Sequence, residues 1–383
     1  MSEYQYYEFQ AIDRPLTARE MDELRSYSSR ARITATSFVN EYSWGNFKGN
    51  EDAWMEKYFD AFLYLANWGT HIVKLRLPAR LLDLETASEY CGESASVHAK
   101  NGNIILTFGS KDEEGGGWVD EDEAEGELSS LISVRSELAR GDLRALYLGW
   151  LLCAQNGELE DDDIEPAVPA GLGQLSASLN GFAEFLRIDT DLIDAAAAAS
   201  PPLIETEPGP GKVRAWLAKL PVTDKDDVLT RLMMGNDAAL GSELVQRMRR
   251  GRESAGDQGG AAAERRTVAA LLRASEQAAE ERKRIAAEKA GREKAERERA
   301  AARARATHLE QLAGKEPALW KKVDSLIATK QPKSYEQAME LLADLRDLAA
   351  RKDELGFRRH VESLRIAHGR KPTLIARLDK AGL

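Results

Sequence analysis

The residue types that most often carry catalysis or hold metal ions are few and scattered in this chain. Neither of its two cysteines, Cys91 and Cys153, belongs to a CxxC pair, so we expect no thiolate zinc site. No GxSxG motif or arrangement of Cys with His indicates a nucleophile. The five histidines show no HExxH motif and no spacing of paired metal ligands: His71, His98, His308, His360 and His368. We therefore expect no catalytic residue, no metal site and no cofactor.

Two segments have a partial likeness to ligand-binding loops. Gly209-Pro210-Gly211-Lys212 ends like a phosphate loop, but Thr206 replaces its first glycine and Val213 replaces the Ser or Thr that binds magnesium. This segment is typical of a linker. The acidic run from 158 to 165 could hold a hard cation, but it lacks the glycine and the ligand spacing of an EF-hand, so we interpret it as a solvated loop.

Two groups of residues are candidates for binding surfaces. The first is a basic cluster near the C-terminus, suited to a protein partner or to the phosphates of a nucleic acid: Arg358, Arg359, Arg365, His368, Arg370 and Lys371. The second lies in residues 1–68, which hold 15 of the 26 aromatic residues, and it consists of Arg30, Arg32, Tyr42, Trp44 and Lys48. Aromatic rings beside arginines can stack on bases, but no RNP1 motif is present, so core and interface packing is the favoured interpretation.

The chain consists of two parts with opposite net charge. These parts must position the two groups of candidate residues. Residues 1–250 carry 24 basic and 43 acidic side chains, a net charge of −19, and residues 251–383 carry 29 and 21, a net charge of +8. We predict an α+β domain (1–128), a helical domain (129–250), a hinge (251–261), a long charged helix (262–313) and a C-terminal domain of helical hairpins (314–383). The fold class is multidomain and mostly α.

The N-terminal domain alternates strand and helix signals. Residues 4–12 and 32–39 predict strands, and Thr17 with Glu20 forms a capping box that begins a helix. Trp54, Tyr58 and Phe62 recur at helical spacing, which predicts a helix over 51–67, followed by a strand over 72–77. This order suggests a ferredoxin-like split βαβ layout. A hairpin at Asn101-Gly102-Asn103 would extend the sheet.

The middle of the chain predicts buried and amphipathic helices. The apolar run from 145 to 154, which includes Cys153, indicates a helix buried on nearly all sides. Three short amphipathic helices end near Leu220, Leu232 and Met248, and we expect them to bury their apolar stripes in a small bundle.

The predicted long helix is rich in Ala, Glu, Lys and Arg, and pairs such as Glu280 with Arg284 support it at i,i+4. Its a and d positions are not consistently apolar, so a solitary solvated helix is favoured over a coiled coil, which stays open. In the last 70 residues three apolar stripes predict antiparallel helices that pack like tetratricopeptide hairpins.

The first residues lack the basic and apolar succession of a signal peptide, and the longest apolar run is ten residues, short of the ~20 needed to span a bilayer. We expect a cytoplasmic protein with no membrane association.

Two segments near the C-terminus carry a family resemblance. KQPKSYEQAMELLADLRDLA (Lys330 to Ala349) and LRIAHGRKPTLIARLDKAGL (Leu364 to Leu383) are similar to the helical tail of bacterial SWIM zinc-finger proteins. The CxCx(n)CxH zinc motif of that family is absent, so the resemblance implies a shared tail and a shared partner or assembly mode, but no zinc and no reaction. The remainder, including YEFQAIDRPLT (Tyr7 to Thr17), resembles uncharacterised bacterial proteins.

These observations favour a non-catalytic scaffold or adaptor that bridges partners through an acidic head and a basic helical tail. Its partner would be a protein, such as a SWIM zinc-finger protein or one of its partners. One alternative is a nucleic-acid-associated factor that binds through the basic C-terminal region. The other is an enzyme whose site is assembled from scattered residues in the N-terminal half. The sequence leaves the oligomeric state open.

Overall fold

The computed structural model describes residues 3–111, 124–203, 209–235, 237–253, 265–350 and 353–383, with only the backbone described at 251–253. Residues 112–123 and most of the predicted hinge lie outside these residues. Contacts divide the chain into two compact units, Met1–Arg282 and Lys283–Leu383. Each unit is described by itself.

The first unit is organised around a seven-stranded sheet. Its strand order is β2-β3-β1-β4-β5-β7-β6, and every neighbouring pair is antiparallel. The strands are β1 (Gln5–Gln10), β2 (Arg32–Ile33), β3 (Ser37–Tyr42), β4 (Ala61–Ala66), β5 (Thr70–Pro78), β6 (Ala95–Lys100) and β7 (Asn103–Lys111). The predicted hairpin is confirmed, because Lys100 pairs with Asn103 across a turn in which Asn101 and Gly102 both have positive φ.

The ferredoxin-like prediction is wrong for this sheet, because a split βαβ layout contains a parallel pair of strands and this sheet has none among the described residues. The error began at the predicted helix over 51–67, which ends at Lys57 and is followed by β4. All six residues of β4 are buried. A short apolar run that is buried on both faces has no alternating pattern, so periodicity does not distinguish it from a buried helix.

Helices cover both faces of the sheet and bury two cores. On one face the aromatic side chains of β1, β3 and β4 pack beneath α1 (Ala18–Arg25) and α2 (Glu51–Lys57). The capping box of α1 is confirmed, since Thr17 and Glu20 exchange hydrogen bonds. A further short helix, α3 (Leu84–Ser88), and helices against the opposite face complete the larger core: α4 (Glu127–Ala139), α5 (Arg144–Gln155), α6 (Ala177–Phe185) and α7 (Thr190–Ala197). The prediction for α5 is confirmed, because Arg144 to Ala154 are all buried.

The helices that follow do not form the expected bundle. They are α8 (Pro210–Lys219), α9 (Val222–Met234) and α10 (Leu240–Glu253). Neither α8 nor α9 has a buried residue. Only α10 contributes side chains to the interior, among them Leu240, Gln246 and Met248.

The long charged helix is present as α11 (Val268–Leu312), and it begins later than predicted. Its first turns are not solvated, because Val268 and Leu271 are buried in the larger core of the first unit. The segment before the helix is fixed by Arg266, whose guanidinium binds the Glu165 carboxylate through Nε (2.9 Å) and Nη2 (2.8 Å). Residues 281–294 are exposed throughout, as expected for a solvated helix. Whether this helix is solitary stays a prediction.

The second unit is helical. After the end of α11 come α12 (Glu316–Ala328), α13 (Pro332–Ala349), α14 (Glu354–His368) and α15 (Pro372–Lys380). The first three agree with the three predicted apolar stripes, whereas α15 lies outside them. Their inward faces form one core, which is centred on Val323, Ile327, Leu342, Leu374 and Leu378. None of the described helices of the chain combines the length and the apolar character needed to cross a membrane.

Candidate docking groove in the second unit

The strongest candidate site is a groove between α13, α14 and the C-terminal residues. The sequence sets its geometry, because α13 begins with Pro332 in its first turn and α14 begins at Asp353, whose side chain accepts a hydrogen bond from the Gly356 amide (2.9 Å). The groove has a volume of about 620 Å³, and its lining residues are Arg346, Asp347, Ala350, Glu354, Phe357, Arg358, Val361, Glu362, Arg365, Gly382 and Leu383.

The floor of the groove is apolar. Phe357 and Val361 are largely buried and contribute to the core of the unit, while one flank of each is turned to the groove. Phe357 is also fixed from behind by Trp320, whose ring centroid lies 5.7 Å from that of Phe357. A floor with this support is preformed, so an apolar group of a ligand can be buried there without reorganisation of the unit.

The rim of the groove carries three guanidinium groups with different degrees of freedom. Arg358 is 72% exposed, and its internal partner is Glu354, one turn earlier on α14. Arg346 is 49% exposed, binds Asp347 (Nε to Oδ1, 3.6 Å) and donates from Nη1 to the backbone oxygen of Ala381 (3.4 Å). Arg365 is more constrained, since its Nε donates to the backbone oxygen of Leu383 (2.8 Å). Arg346 and Arg358 are therefore able to change partners at low cost.

The acidic side of α13 is bound from within the unit. Arg305 binds the Asp347 carboxylate (Nη2 to Oδ2, 2.6 Å) and also binds Asp344. His308 lies 2.8 Å from Asp344, whose side chain is only 8% exposed. These contacts fix α13 against the end of α11. The groove keeps the exposed carboxylates of Glu354 and Glu362 beside its three guanidinium groups.

The lining of the groove is suited to binding and offers no nucleophile. None of the described residues that line it has a hydroxyl, thiol or imidazole side chain. Across the described residues, no group of three or more His, Cys, Asp or Glu side chains could hold a metal ion. The buried thiol of Cys153 lies far along the chain in α5, where burial raises its pKa to about 12, so it stays protonated at neutral pH.

The structure brings two of the six predicted C-terminal residues, Arg358 and Arg365, into the groove. Lys371 has a structural contact, because its Nζ donates to the Ile327 oxygen at the end of α12 (3.0 Å). His368 is half-buried, and burial together with the nearby charge of Lys371 lowers its pKa. Arg359 and Arg370 are exposed outside the groove.

The predicted N-terminal group is only partly brought together. The Arg30 guanidinium lies 5.3 Å from the ring centroid of Trp44, which is 70% exposed, so these two residues form a cation–π pair. Arg32 instead binds Glu41 (3.4 Å), Tyr42 packs edge-on against Tyr7, and Lys48 is exposed. Most of the other N-terminal rings are buried in the smaller core, so they are not available to stack on bases.

The acidic run at 158–165 differs from the solvated loop that we expected. Glu165 is 2% exposed and is neutralised by Arg266. Glu158 accepts hydrogen bonds from the backbone amides of Glu93 (2.8 Å) and Ser94 (2.9 Å). Both ends of the run are therefore structural. Of the predicted linker, Gly209 precedes α8, but Pro210, Gly211 and Lys212 form the first turn of that helix, so the linker prediction is wrong for these three residues. Residues 204–208 lie outside the described residues.

Sequence reasoning missed the remaining parts of the groove. Phe357 and Val361 belong to the third apolar stripe, whose spacing predicts burial in the core but does not predict that these two side chains also line a groove. Arg346 lies at the end of an amphipathic helix, and nothing local distinguishes it from a solubilising residue. One signal that could have found the groove is the spacing of Glu354, Arg358, Val361 and Arg365, which places charged and apolar residues on one flank of α14.

Comparisons with known proteins add no assignment. No protein-family model, no curated protein and no solved structure matches this chain.

Proposed function

We propose that the protein is a non-catalytic scaffold or adaptor that binds a partner protein through the groove of its second unit. The observation that carries this proposal is the preformed apolar floor of Phe357 and Val361 beneath the guanidinium groups of Arg346 and Arg358. The unit has 24 basic and 15 acidic residues between 283 and 383, a net charge of +9. The best-suited occupant is a peptide segment that combines large apolar side chains with Asp or Glu.

The likeness of the last 55 residues to SWIM zinc-finger proteins supports the same idea, because the groove is built almost entirely from residues in that stretch. A partner shared with those proteins belongs to this proposal, as does a cytoplasmic location. We also propose that the first unit consists of an α+β head and a helical domain.

A selection of random peptides displayed on phage, with the full-length protein as bait, tests the proposal while the partner is still unidentified. We expect enrichment of peptides with aromatic or aliphatic residues flanked by carboxylates. These peptides should bind the R346E/R358E variant at least tenfold more weakly than the wild type. A matched control, R359E/R370E, makes the same change in net charge outside the groove and should retain binding. If both variants bind the peptides equally weakly, the peptides are attracted by the general positive charge of the unit and do not bind in the groove.

A nucleic-acid function is the second candidate, favoured by the exposure of Arg359 and Arg370, neither of which has an ion pair among the described residues. If the protein binds nucleic acid, R359E/R370E is the variant expected to lose binding, and R346E/R358E becomes the control. A gel-shift titration across a salt series should then show loss of binding in R359E/R370E, and no shift at low salt would eliminate this candidate.

A further inference from the structure

The helix α9 is oriented with its apolar side toward solvent. Its residues at i, i+3, i+4, i+7, i+10 and i+11 share one face: Val222, Lys225, Asp226, Leu229, Leu232 and Met233. The four apolar members are 70%, 55%, 65% and 87% exposed in chain order. Single exposed apolar residues are ordinary, but four on one face of a helix, with Leu229, Leu232 and Met233 adjacent, mark an interaction surface.

The orientation is fixed by the charged side of the helix. Arg231 binds Asp237 (Nη2 to Oδ2, 2.5 Å) and Glu243 (Nη2 to Oε2, 2.6 Å). The same two carboxylates bind Arg80 from the loop after β5, at 2.5 and 3.0 Å. Near the start of the helix, Asp224 pairs with Arg247 of α10. A rotation that buried the apolar row would break all of these ion pairs, so the row is held outward.

The charges on this face of α9 allow it to pair with the same face of a second copy. Lys225 and Asp226 lie side by side in its middle, and neither has an ion pair among the described residues. If two copies of α9 pack antiparallel about a twofold axis between these residues, Lys225 of each copy faces Asp226 of the other. The same register places Val222 against Leu229 of the second copy, twice, and places Leu232 and Met233 opposite Lys219 and Ala218 at the end of α8 in that copy. Residues 209–235 carry five basic and three acidic side chains, whereas residues 1–282 as a whole have a net charge of −20, so this segment does not share the strong negative charge of its unit.

We propose that this face of α9 is the contact surface of a homodimer, in which a second copy of the chain covers the apolar row. The inference goes beyond the proposed adaptor function, since it concerns other residues and another occupant and holds whether or not the groove binds a peptide. An isologous contact of this kind is the commonest way in which soluble proteins associate. A dimer would also present two grooves per assembly and so strengthen binding to a multivalent partner.

Sedimentation equilibrium of the full chain between about 1 and 200 µM tests the inference. The wild type should approach twice its chain mass of 42.4 kDa. The L229E variant should dissociate at least 100-fold more readily, because it places a carboxylate at the centre of the row. The matched variant I285E makes the same kind of change on the exposed part of α11, where Ile285 is 56% exposed, and should leave the dimer intact.

Charge reversal separates the proposed register from other modes of association. In K225D the introduced carboxylate of each copy faces Asp226 of the other, so the dissociation constant should rise about tenfold. The swap K225D/D226K restores opposite charges and should return it to near the wild-type value. A wild type that stays monomeric at 200 µM overturns the proposal. So does a dimer that L229E leaves intact, or one that responds equally to K225D and to the swap.

Discussion

In the first unit several ion pairs have a partner buried in the fold, whereas in the second unit most ion pairs lie at the surface. Asp60 is fully buried and binds Arg76 (2.6 Å), Glu165 binds Arg266, and Lys74 is 8% exposed beside Asp52. In the second unit the corresponding groups are open to solvent, as with Arg358 and Glu354. Asp344 is a buried exception there.

The location of a helix's ion-pair partners helps to decide which side of the helix faces outward. In α14 the apolar residues Phe357 and Val361 turn inward and the arginines turn out to form the rim of the groove. In α9 Arg231 finds two carboxylates within the unit, so the charged side turns inward and Leu229 is left in solvent. The composition of a helix therefore does not determine its exposed face, because the partners available in the surrounding fold also contribute.

The largest effect should come from the removal of a buried carboxylate. In D60A the Arg76 guanidinium loses its carboxylate partner, and the amides of Ile12 and Asp13 lose their acceptor. We expect the free energy of unfolding of the first unit to fall by ~3–5 kcal/mol, measured by urea denaturation. The control D379A removes the partner of Arg365, a carboxylate 57% exposed, and should cost less than ~1 kcal/mol. Similar costs for the two variants would break the comparison between the units.

We expect an intermediate effect on the free energy of unfolding when a leucine of α14 is truncated, and almost none for a leucine of α9. Leu364 is 6% exposed, and L364A should lower the free energy of unfolding of the second unit by ~2–4 kcal/mol. Leu232 of α9 is 65% exposed, and L232A should change that of the first unit by no more than ~0.5 kcal/mol when measured with dilute monomer. A large cost for L232A under these conditions would mean that the outer face of α9 is covered within its own chain.

The smallest effect concerns pH and the ion pairs beneath α9. Hydrogen bonds from Arg231 hold the pKa of Glu243 below its usual value. Burial acts to raise the pKa of Asp237, but Arg231 and Arg80 outweigh it, so this pKa is also lowered. Carboxylates with lowered pKa values stabilise the folded state fully above their ordinary pKa values, near 4. That contribution is lost as the pH falls through the lowered values.

The R231M variant tests this effect. Between pH 7 and pH 3 its free energy of unfolding should decline less than that of the wild type, by a difference of up to ~1 kcal/mol. The exposed control R214M, in α8, should follow the wild-type curve. An unchanged slope in R231M would show that these ion pairs do not stabilise α9.

Local signals were sufficient to predict many elements but not their arrangement. The capping box at Thr17, the Asn101-Gly102 turn and the buried helix α5 depend on neighbouring residues, and the structure confirms them. The strand β4 was mistaken for helix because burial on both faces removes the alternation that identifies a strand.

Contacts between distant residues explain the remaining failures. The orientation of α9 depends on Arg80, which is 157 positions from Asp237, and no local pattern shows such a pair. At the candidate site, charge density was sufficient to identify Arg358 and Arg365. The floor and Arg346 required the packing of α13 against α14, which a single sequence does not specify.

The central claim is that the groove of the second unit binds a partner segment. The most direct measurement is isothermal titration of one selected peptide into the wild type, R346E/R358E and R359E/R370E. We predict that the dissociation constant rises at least tenfold in R346E/R358E and less than twofold in R359E/R370E. Equal affinities for the wild type and R346E/R358E would contradict the account.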